Sequence, residues 1–214
     1  MIKEIAIKNF KSLKDIKLKL SNLNLLAGLN GGGKSSFIQT LLLLRQSYKN
    51  NPNSNEGLIL QDGELASLGS GKDVFYQYAE DENIEFEILY NNNRLKWSFQ
   101  YAPKSDILSP NEKQLNISLL LCNLFNSNFQ YLNAEHISPQ TTYKKSEFQV
   151  IKNNNIGIKG EYAAHYLAEN YNIYNWISDD SVRQDYKTLL LSLKRYPFIA
   201  EEDETIKNYQ FATF

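Results

Sequence analysis

The chain has 214 residues, 42% of them hydrophobic and 13% aromatic, so it is long enough to form a globular protein with one core or two small lobes. Its 23 basic and 24 acidic residues give a net charge of -1, which excludes the overall basic excess of a protein that coats nucleic acid or a membrane surface. The single cysteine, Cys122, excludes an internal disulfide and predicts a buried structural thiol. No apolar run approaches the ~20 residues of a membrane helix, and the N-terminus is too charged for a signal peptide, so we expect a cytoplasmic protein without a membrane partner.

The first 50 residues predict three strands, a glycine-rich loop and a helix. Apolar and polar residues alternate over residues 2–10 and 16–20, which is typical of two half-buried strands. Residues 23–28, LNLLAG, are almost continuously apolar and predict a buried central strand. From Lys34 onward the apolar residues follow helical spacing, and this helix should stop before the turn-rich NNPNSN at 50–55. The predicted apolar stripe consists of Phe37, Ile38, Leu41, Leu42 and Leu44.

The rest of the chain divides into a β-rich part, residues 56–135, and a helical part, residues 136–214. The β-rich part contains four strand candidates, of which the last two form a predicted hairpin through an Asn-rich turn; they are residues 57–69, 73–79, 84–90 and 94–102. A further strand pair is predicted within 115–133. Helices are predicted at 160–171 and 183–196, and the final EEDETIKNYQFATF has the pattern of an interrupted connection.

Residues 28–35, GLNGGGKS, match the phosphate-loop pattern G-x-x-x-x-G-K-[ST]. The predicted strand precedes the loop and the predicted helix follows it, which is the order that this motif requires. A structural glycine turn is the alternative, but the strand and helix on either side make a chance match much rarer. The sequence therefore predicts a nucleotide site that binds ATP with Mg²⁺.

The residue types of this loop suit the phosphates of a nucleotide. Backbone N–H groups must curl around the phosphate oxygens, and side chains in the glycine run would obstruct that approach. Lys34 can reach the β- and γ-phosphates, the Ser35 hydroxyl can bind Mg²⁺, and Ser36 supports the start of the helix. The predicted nucleotide-binding residues of the loop are Gly28, Asn30, Gly31, Gly32, Gly33, Lys34, Ser35 and Ser36.

Two stretches of the sequence resemble a known family. Residues 7–44, from IKNFKSLKD through GLNGGGKSSFIQTLLLL, resemble the N-terminal segment of SMC/RecN-type ABC ATPases, in particular prokaryotic AAA ATPases of antiphage and OLD-like defence operons. YLNAEHISPQTTY and IGIKGEYAAHYL, further along, are similar to a downstream segment of the same group. The resemblance implies an α/β fold: lobe I of a P-loop ABC/SMC head over residues 1–214, with an antiparallel β-rich subdomain and C-terminal helices.

In this family two bilobal heads dimerise head to tail around two ATP molecules, so the resemblance implies a homodimer or a hetero-assembly. It also implies that Lys11 and Ser12 of NFKS lie near the nucleotide, where the family often has Arg-Ser; a solvated turn lysine is the alternative for Lys11. Many ABC heads carry a magnesium-sensing glutamine after their β-rich strands. Gln61 in LILQDG is a candidate for it, and a surface residue at a hairpin turn is the alternative.

The sequence departs from the family pattern in three places. His136 stands where the subgroup usually has arginine, so it is either a hydrogen-bond donor or a partly buried filler. We find neither an apolar strand that ends in Asp-Glu nor an LSGGQ-like signature, and EEDE at 201–204 has no preceding apolar strand. Because hydrolysis needs such carboxylates, we expect ATP binding with slow or no hydrolysis unless a second lobe or a partner supplies them.

Other functions are compatible with parts of the sequence. The chain could be a non-catalytic regulatory or assembly module that binds ATP, or, less well supported, a small P-loop kinase. An effector nuclease would be a separate partner, because no cluster of Asp and Glu indicates a nuclease site here. A basic stretch on the first two strands has two interpretations, a solvated edge that resists aggregation or a nucleic-acid track; it consists of Lys3, Lys8, Lys11, Lys14, Lys17 and Lys19.

Overall fold

The structure is a computed structural model. It describes residues 1–50, 57–61, 64–112, 122–135, 137–138, 142–169 and 209–213. The chain divides into two compact units. The first contains Met1–Asn126 and Asn208–Phe214, and the second contains Ser127–Lys207.

A four-stranded antiparallel sheet is the main element of the first unit. Its strands are β1 (Ile2–Phe10), β2 (Leu13–Lys19), β5 (Asn83–Tyr90) and β6 (Asn93–Gln100), and their order is β2-β1-β5-β6. All four strands were expected, β1 and β2 from alternation and β5 and β6 from strand-forming residues on either side of an Asn-rich turn. The prediction missed that β2 begins at Leu13, which shortens the turn after β1 to Lys11 and Ser12.

The predicted hairpin of β5 and β6 is confirmed. Tyr90 pairs with Asn93, so the turn contains only Asn91 and Asn92. Both residues have positive φ, 48° and 84°, as the central residues of a type I′ turn require. Asparagine tolerates this conformation better than most residues, which explains why an Asn-rich stretch closes the hairpin.

One face of this sheet forms the core of the unit. Phe10 of β1 and Phe86 of β5 are almost completely buried and meet edge to face, with ring centroids 5.6 Å apart. The ring centroid of Phe125 lies 5.9 Å from that of Trp97 in β6 and 5.0 Å from that of Tyr48 in the first helix. The core therefore joins the sheet to that helix. Its other buried strand residues are Ile5, Ile7, Leu13, Ile84, Ile88, Tyr90, Leu95 and Phe99.

The lysines of β1 and β2 lie among acidic partners. The Nζ atom of Lys8 lies 2.6 Å from a carboxylate oxygen of Asp81. The corresponding distances are 2.9 Å for Lys17 and Glu4 and 2.9 Å for Lys14 and Glu80. Paired charges of this kind favour the interpretation of the basic stretch as a solvated edge. Each exposed pair contributes little to stability, about 0–1 kcal/mol.

The first helix, α1, spans Lys34–Asn50 and confirms the predicted start. Its buried face differs from the predicted stripe: Leu43 is fully buried, and Ile38, which was wrongly expected in the stripe, is 40% exposed. Thr40 and Gln46 are buried as well, which apolar periodicity could not indicate. Both are hydrogen-bonded: Thr40 Oγ1 donates to Ser36 O, and Gln46 Nε2 donates to Ile59 O and Ala66 O.

Strand β3, Leu23–Ala27, precedes the glycine loop as predicted, but the prediction that it is a buried central strand was wrong for the described residues. Leu23 and Leu25 are 42% and 48% exposed. The strand pairs in parallel with β8, Tyr209–Thr213, which lies in the segment expected to be an interrupted connection. A continuous apolar run predicts burial only where other elements cover it, and the described elements leave β3 half open.

The region between α1 and β5 is less regular than predicted. Strand β4 is only Leu58–Ile59 and pairs with β7, Ile107–Leu108. The strand expected over 73–79 was wrong, because Gly71–Val74 form a short helix, α2. Asp73 caps this helix by accepting hydrogen bonds from Ser70 N and Oγ, both at 2.8 Å. Local capping thus outweighed the strand propensity of the residues that follow.

In the second unit the described elements are a π-helix, Phe148–Lys152, and helix α3, Ala163–Glu169. Helix α3 confirms part of the helix predicted over 160–171. No strand is present in the described residues 122–135, so the second member of the strand pair predicted within 115–133 was wrong. Residues 115–121, at the start of the predicted pair, lie outside the described residues, as do the predicted helix at 183–196 and the acidic residues 201–204.

Asp81 links the end of β1 to the start of β5. Its carboxylate accepts hydrogen bonds from Lys8 Nζ, Asn9 Nδ2 and Asn83 N, at 2.6, 3.1 and 3.0 Å. The hydrogen bond from the Lys8 ammonium, followed by that from Asn83 N–H, lowers the pKa of Asp81 below its usual value of 3.8. A lowered folded-state pKa stabilises the protein above about pH 4, and this contribution is lost as the pH falls through the lowered value.

We therefore expect Asp81→Asn to lower the free energy of unfolding by ~1 kcal/mol at pH 7, a modest value because the carboxylate is partly exposed and screened. The difference from the wild type should shrink at pH 3. Urea unfolding at both pH values measures it, with the exposed Asp106→Asn as the control variant. A difference that stayed the same at both pH values would contradict the ionic contribution.

Candidate phosphate-binding site

The loop between β3 and α1 has a backbone that depends on glycine. Gly28, Gly31 and Gly33 have positive φ values of 147°, 83° and 95°. Gly32 N donates to Leu29 O at 3.1 Å, which closes a turn inside the loop. Around Gly31 the space is open, since no heavy atom lies within 4 Å of the position that a Cβ would occupy. The loop is therefore compact yet open on the side of Gly31.

Lys34 folds back over this loop. Its Nζ donates to Gly28 O at 2.8 Å and to Leu29 O at 2.7 Å. An ammonium group has three N–H donors, so these two bonds fix its position and leave one donor for a ligand. The loop thus holds a cation that is already oriented, as a charge-assisted bond to a phosphate oxygen requires.

The start of α1 supplies further donors. The first α-helical hydrogen bond runs from Phe37 N to Gly33 O at 2.8 Å, so the N–H groups of the turn before it are available to an anion. Ser35 is exposed there and Ser36 is buried. The Mg²⁺-binding role of Ser35 and the supporting role of Ser36 stay predictions. Asn30 is an exposed residue of the loop. The structure thus brings together all eight residues that the motif indicated.

The turn after β1 packs against the loop. Ser12 Oγ lies 3.2 Å, and Leu13 Cδ2 2.4 Å, from the position that a Cβ on Gly33 would occupy. A glycine is required at position 33 for two reasons: any Cβ would clash with Leu13, and the backbone has a positive φ. The sequence interpretation assigned the glycine run to close approach of a ligand and missed Leu13, since nothing in KSLKD indicates which residue meets the loop.

Lys11 is half-buried at the same turn. Its backbone is left-handed, with φ of 52°, and its N–H donates to Val74 O at 2.7 Å. Its Nζ donates to Gln39 Oε1 on α1 at 3.0 Å. Burial lowers the pKa of Lys11. The structure therefore packs the turn that contains Lys11 and Ser12 against the loop and pairs Lys11 with Gln39, which the sequence interpretation missed. A polar residue one turn after Ser35 is the signal that could have found it. The location of Lys11 and Ser12 near the nucleotide stays a prediction.

Gln61 lies elsewhere. The segment around it follows the far end of α1, because Ile59 O accepts from Gln46 Nε2 at 2.9 Å and Glu64 pairs with Lys49 at 2.6 Å. Gln46 is about 18 Å along the helix axis from the start of α1, at a rise of 1.5 Å per residue. The structure does not bring Gln61 to the phosphate loop, and its exposure fits the alternative of a surface residue.

In the second unit, the two stretches that resemble the defence-associated ATPases are joined by backbone hydrogen bonds. Asn133 N donates to Ile158 O at 2.8 Å, and Ile137 N donates to Lys159 O at 2.9 Å. His165 of α3 is buried, and its Nδ1 accepts from Ser146 N at 3.2 Å. His136 lies outside the described residues, so its role stays a prediction.

Comparison with known proteins identifies the family. Residues 1–212 match the family model described as AAA ATPase domain. The chain belongs to this family. The AAA ATPase domain is 28% identical over 107 residues to the DNA replication and repair protein RecF of Halothermothrix orenii. The aligned segment covers 50% of this chain and 27% of that protein. It is 46% identical over 44 residues to the DNA double-strand break repair Rad50 ATPase of Archaeoglobus fulgidus. This aligned segment covers 20% of this chain and 5% of that protein.

Among solved structures, the domain is similar to the recombination mediator protein RecF with ATP, with 17% identity and a TM-score of 0.34 over 62% of this chain and 31% of that one. The AAA ATPase domain thus spans about a quarter of the length of the RecF protein that it matches in sequence. The predicted ATPase family is confirmed by the family match, and the sequence matches to RecF and Rad50 agree with the predicted SMC-like group. The α/β fold of a P-loop ATPase lobe is confirmed as well, since β3, the glycine loop and α1 follow one another as expected. The narrower placement among defence-associated ATPases stays a prediction.

The family implies ATP as the ligand, and the residues of the loop fit it. Exposed loop backbone, the oriented Lys34 ammonium and the exposed Ser35 hydroxyl are suited to phosphates and to the Mg²⁺ that accompanies them. No helix in the described part of the chain is both long and apolar enough to cross a membrane. The chain thus has a candidate phosphate-binding site, formed by the loop between β3 and α1 and by the turn after β1.

Proposed function

We propose that the chain binds MgATP at residues 28–35 and works as the ATP-binding lobe of an ATP-dependent switch. The preorganised Lys34 is the observation that carries this proposal, because its two bonds to loop carbonyls leave a donor for the β- and γ-phosphates. Ser35 would bind the Mg²⁺, and Lys11 and Ser12 would line the site. Two such heads would assemble around the nucleotide, as a homodimer or with a different partner.

Titration calorimetry with MgATP and with AMP tests the site. AMP lacks the two phosphates that the loop and Lys34 would hold, so MgATP should bind about 100-fold more tightly, or ~3 kcal/mol. Equal affinities would contradict the phosphate site. Sedimentation velocity with and without MgATP tests assembly, and a chain that stayed monomeric with saturating MgATP and each candidate partner would contradict the switch.

Hydrolysis would depend on carboxylates from a second lobe or from a partner, since the sequence has no recognisable Asp-Glu strand end after the loop. The alternative is a regulatory or assembly module that binds ATP without turning it over. ATPase rates measured with and without candidate partners separate the two functions. Background rates in every mixture would favour the alternative.

For the biological setting we propose antiphage defence, together with an effector nuclease as a partner. The support is the resemblance of residues 131–143 and 156–167 to defence-associated ATPases. Plaque assays in cells with and without the genes for this chain and its candidate partners test this, with Lys34→Ala as the nucleotide-binding control. Equal plaque numbers would contradict the role in defence without affecting the ATP site.

A further inference from the structure

Gln39 lies on the same face of α1 as Ser35. The two residues are four positions apart, so they are neighbours one turn apart on the helix surface. Helical side chains lean toward the N-terminus, which brings the Gln39 amide toward the start of α1 and the phosphate loop. Because Lys11 Nζ donates to Gln39 Oε1 at 3.0 Å, the Lys11 ammonium also lies on this face.

The surroundings of the Lys11 ammonium differ from those of Lys8, Lys14 and Lys17. Lys8, Lys14 and Lys17 each lie within 2.9 Å of a carboxylate oxygen. Lys11 is half-buried, and within the described part of the chain its ammonium has the neutral amide of Gln39 as its hydrogen-bond partner and no ion pair. A partly desolvated cation without a bonded counter-charge attracts an anion, and its pKa is lowered by the same burial.

The backbone of Lys11 is held independently of its side chain. Lys11 N donates to Val74 O at 2.7 Å, and the neighbouring Ser12 and Leu13 pack on Gly33. These contacts place the turn against the loop but leave the four torsions of the lysine side chain free. The hydrogen bond to Gln39 is the contact that selects where the ammonium lies.

We propose that Gln39 is a positioning residue of the nucleotide site. Its amide oxygen holds the Lys11 ammonium beside the phosphate loop and does not neutralise the charge that the phosphates would meet. A carboxylate at this position would form an ion pair and compete with the phosphates, and an apolar side chain would release the ammonium to solvent. The inference rests on the proposed function, because it assigns a role within the MgATP site.

The test is a double-mutant cycle on the full chain, with MgATP affinity and the thermal midpoint as readouts. Gln39→Met should weaken MgATP binding about five- to tenfold in the wild type and leave it unchanged in the Lys11→Met background. Gln39→Glu should also weaken binding but should not lower the thermal midpoint, because it gains an ion pair with Lys11. Lys14→Met is the matched control for Lys11→Met, since Lys14 pairs with Glu80, and it should leave affinity unchanged.

Several results would overturn the inference. An unchanged affinity in Gln39→Met would exclude the positioning role, and an equal loss in both backgrounds would show that Gln39 does not act through Lys11. A loss of affinity that appears only at temperatures where the variant unfolds would show a structural role. Wild-type protein that binds no MgATP would overturn the proposed function as well. Wild-type binding that depends on Lys34 but not on Gln39 would overturn this inference alone.

Discussion

Lys34→Ala is expected to weaken MgATP binding by about 100-fold and to change the free energy of unfolding by less than ~1 kcal/mol. The side chain contributes a charge-assisted bond to the phosphates that is worth ~1.5–3 kcal/mol, or about 10- to 150-fold in the dissociation constant. Within the described part of the chain, the hydrogen bonds of Nζ go to two carbonyls of the loop, Gly28 O and Leu29 O, so few stabilising contacts are lost. Titration calorimetry and urea unfolding measure the two effects.

The matched control is Lys49→Ala, which removes a lysine from the other end of the same helix. Lys49 is 2.6 Å from Glu64, an exposed ion pair that contributes little. It should leave MgATP affinity unchanged. Equal affinities of Lys34→Ala and wild type would contradict the phosphate-binding role of the loop, whereas a loss in both variants would point to a general effect of charge.

Gly33→Ala is expected to lower the free energy of unfolding by ~2–5 kcal/mol and to abolish MgATP binding with it. The added Cβ would need a left-handed backbone, with φ of 95°, and would lie 2.4 Å from Leu13 Cδ2. Backbone strain costs ~1–2 kcal/mol and overpacking a further ~1–3 kcal/mol. Urea unfolding and MgATP titration measure both losses.

Gly31→Ala separates the two causes. Gly31 has a similar φ of 83° but no heavy atom within 4 Å of the added Cβ. The free energy of unfolding of the Gly31→Ala variant should therefore fall only by the ~1–2 kcal/mol of backbone strain. In a Leu13→Ala background, Gly33→Ala should become about as mild as Gly31→Ala, because the clashing side chain is gone. Equal costs of the two glycine substitutions in the wild type would rule out the contact with Leu13.

The elements with a clear local period could be predicted, and the others could not. Strands β1 and β2, the β5–β6 hairpin and helix α1 follow from alternation, an Asn-rich turn and helical spacing, all of which act between near neighbours in sequence. Residues 73–79 have the composition of a strand, yet Ser70 and Asp73 cap a short helix at its start. Strand β3 is apolar enough to be buried, yet Leu25 is 48% exposed because burial depends on what covers a strand.

The sequence by itself determined the candidate phosphate site and the residue types in it. The residues of the motif are contiguous, glycine supplies the positive φ values, and the helix that follows supplies the free N–H groups, so chain connectivity brings the parts together without help from the rest of the fold.

Only the tertiary structure decided what surrounds that site. In the folded chain β5 pairs with β1, and Leu13 packs against Gly33. The Lys11 ammonium donates a hydrogen bond to Gln39, and the segment of Gln61 lies near the far end of α1. Lys11 and Gln39 are 28 positions apart, and neither residue type specifies the other as a partner. Such pairs form where packing of the whole sheet and helix brings them within hydrogen-bond distance, which local patterns in a sequence do not encode.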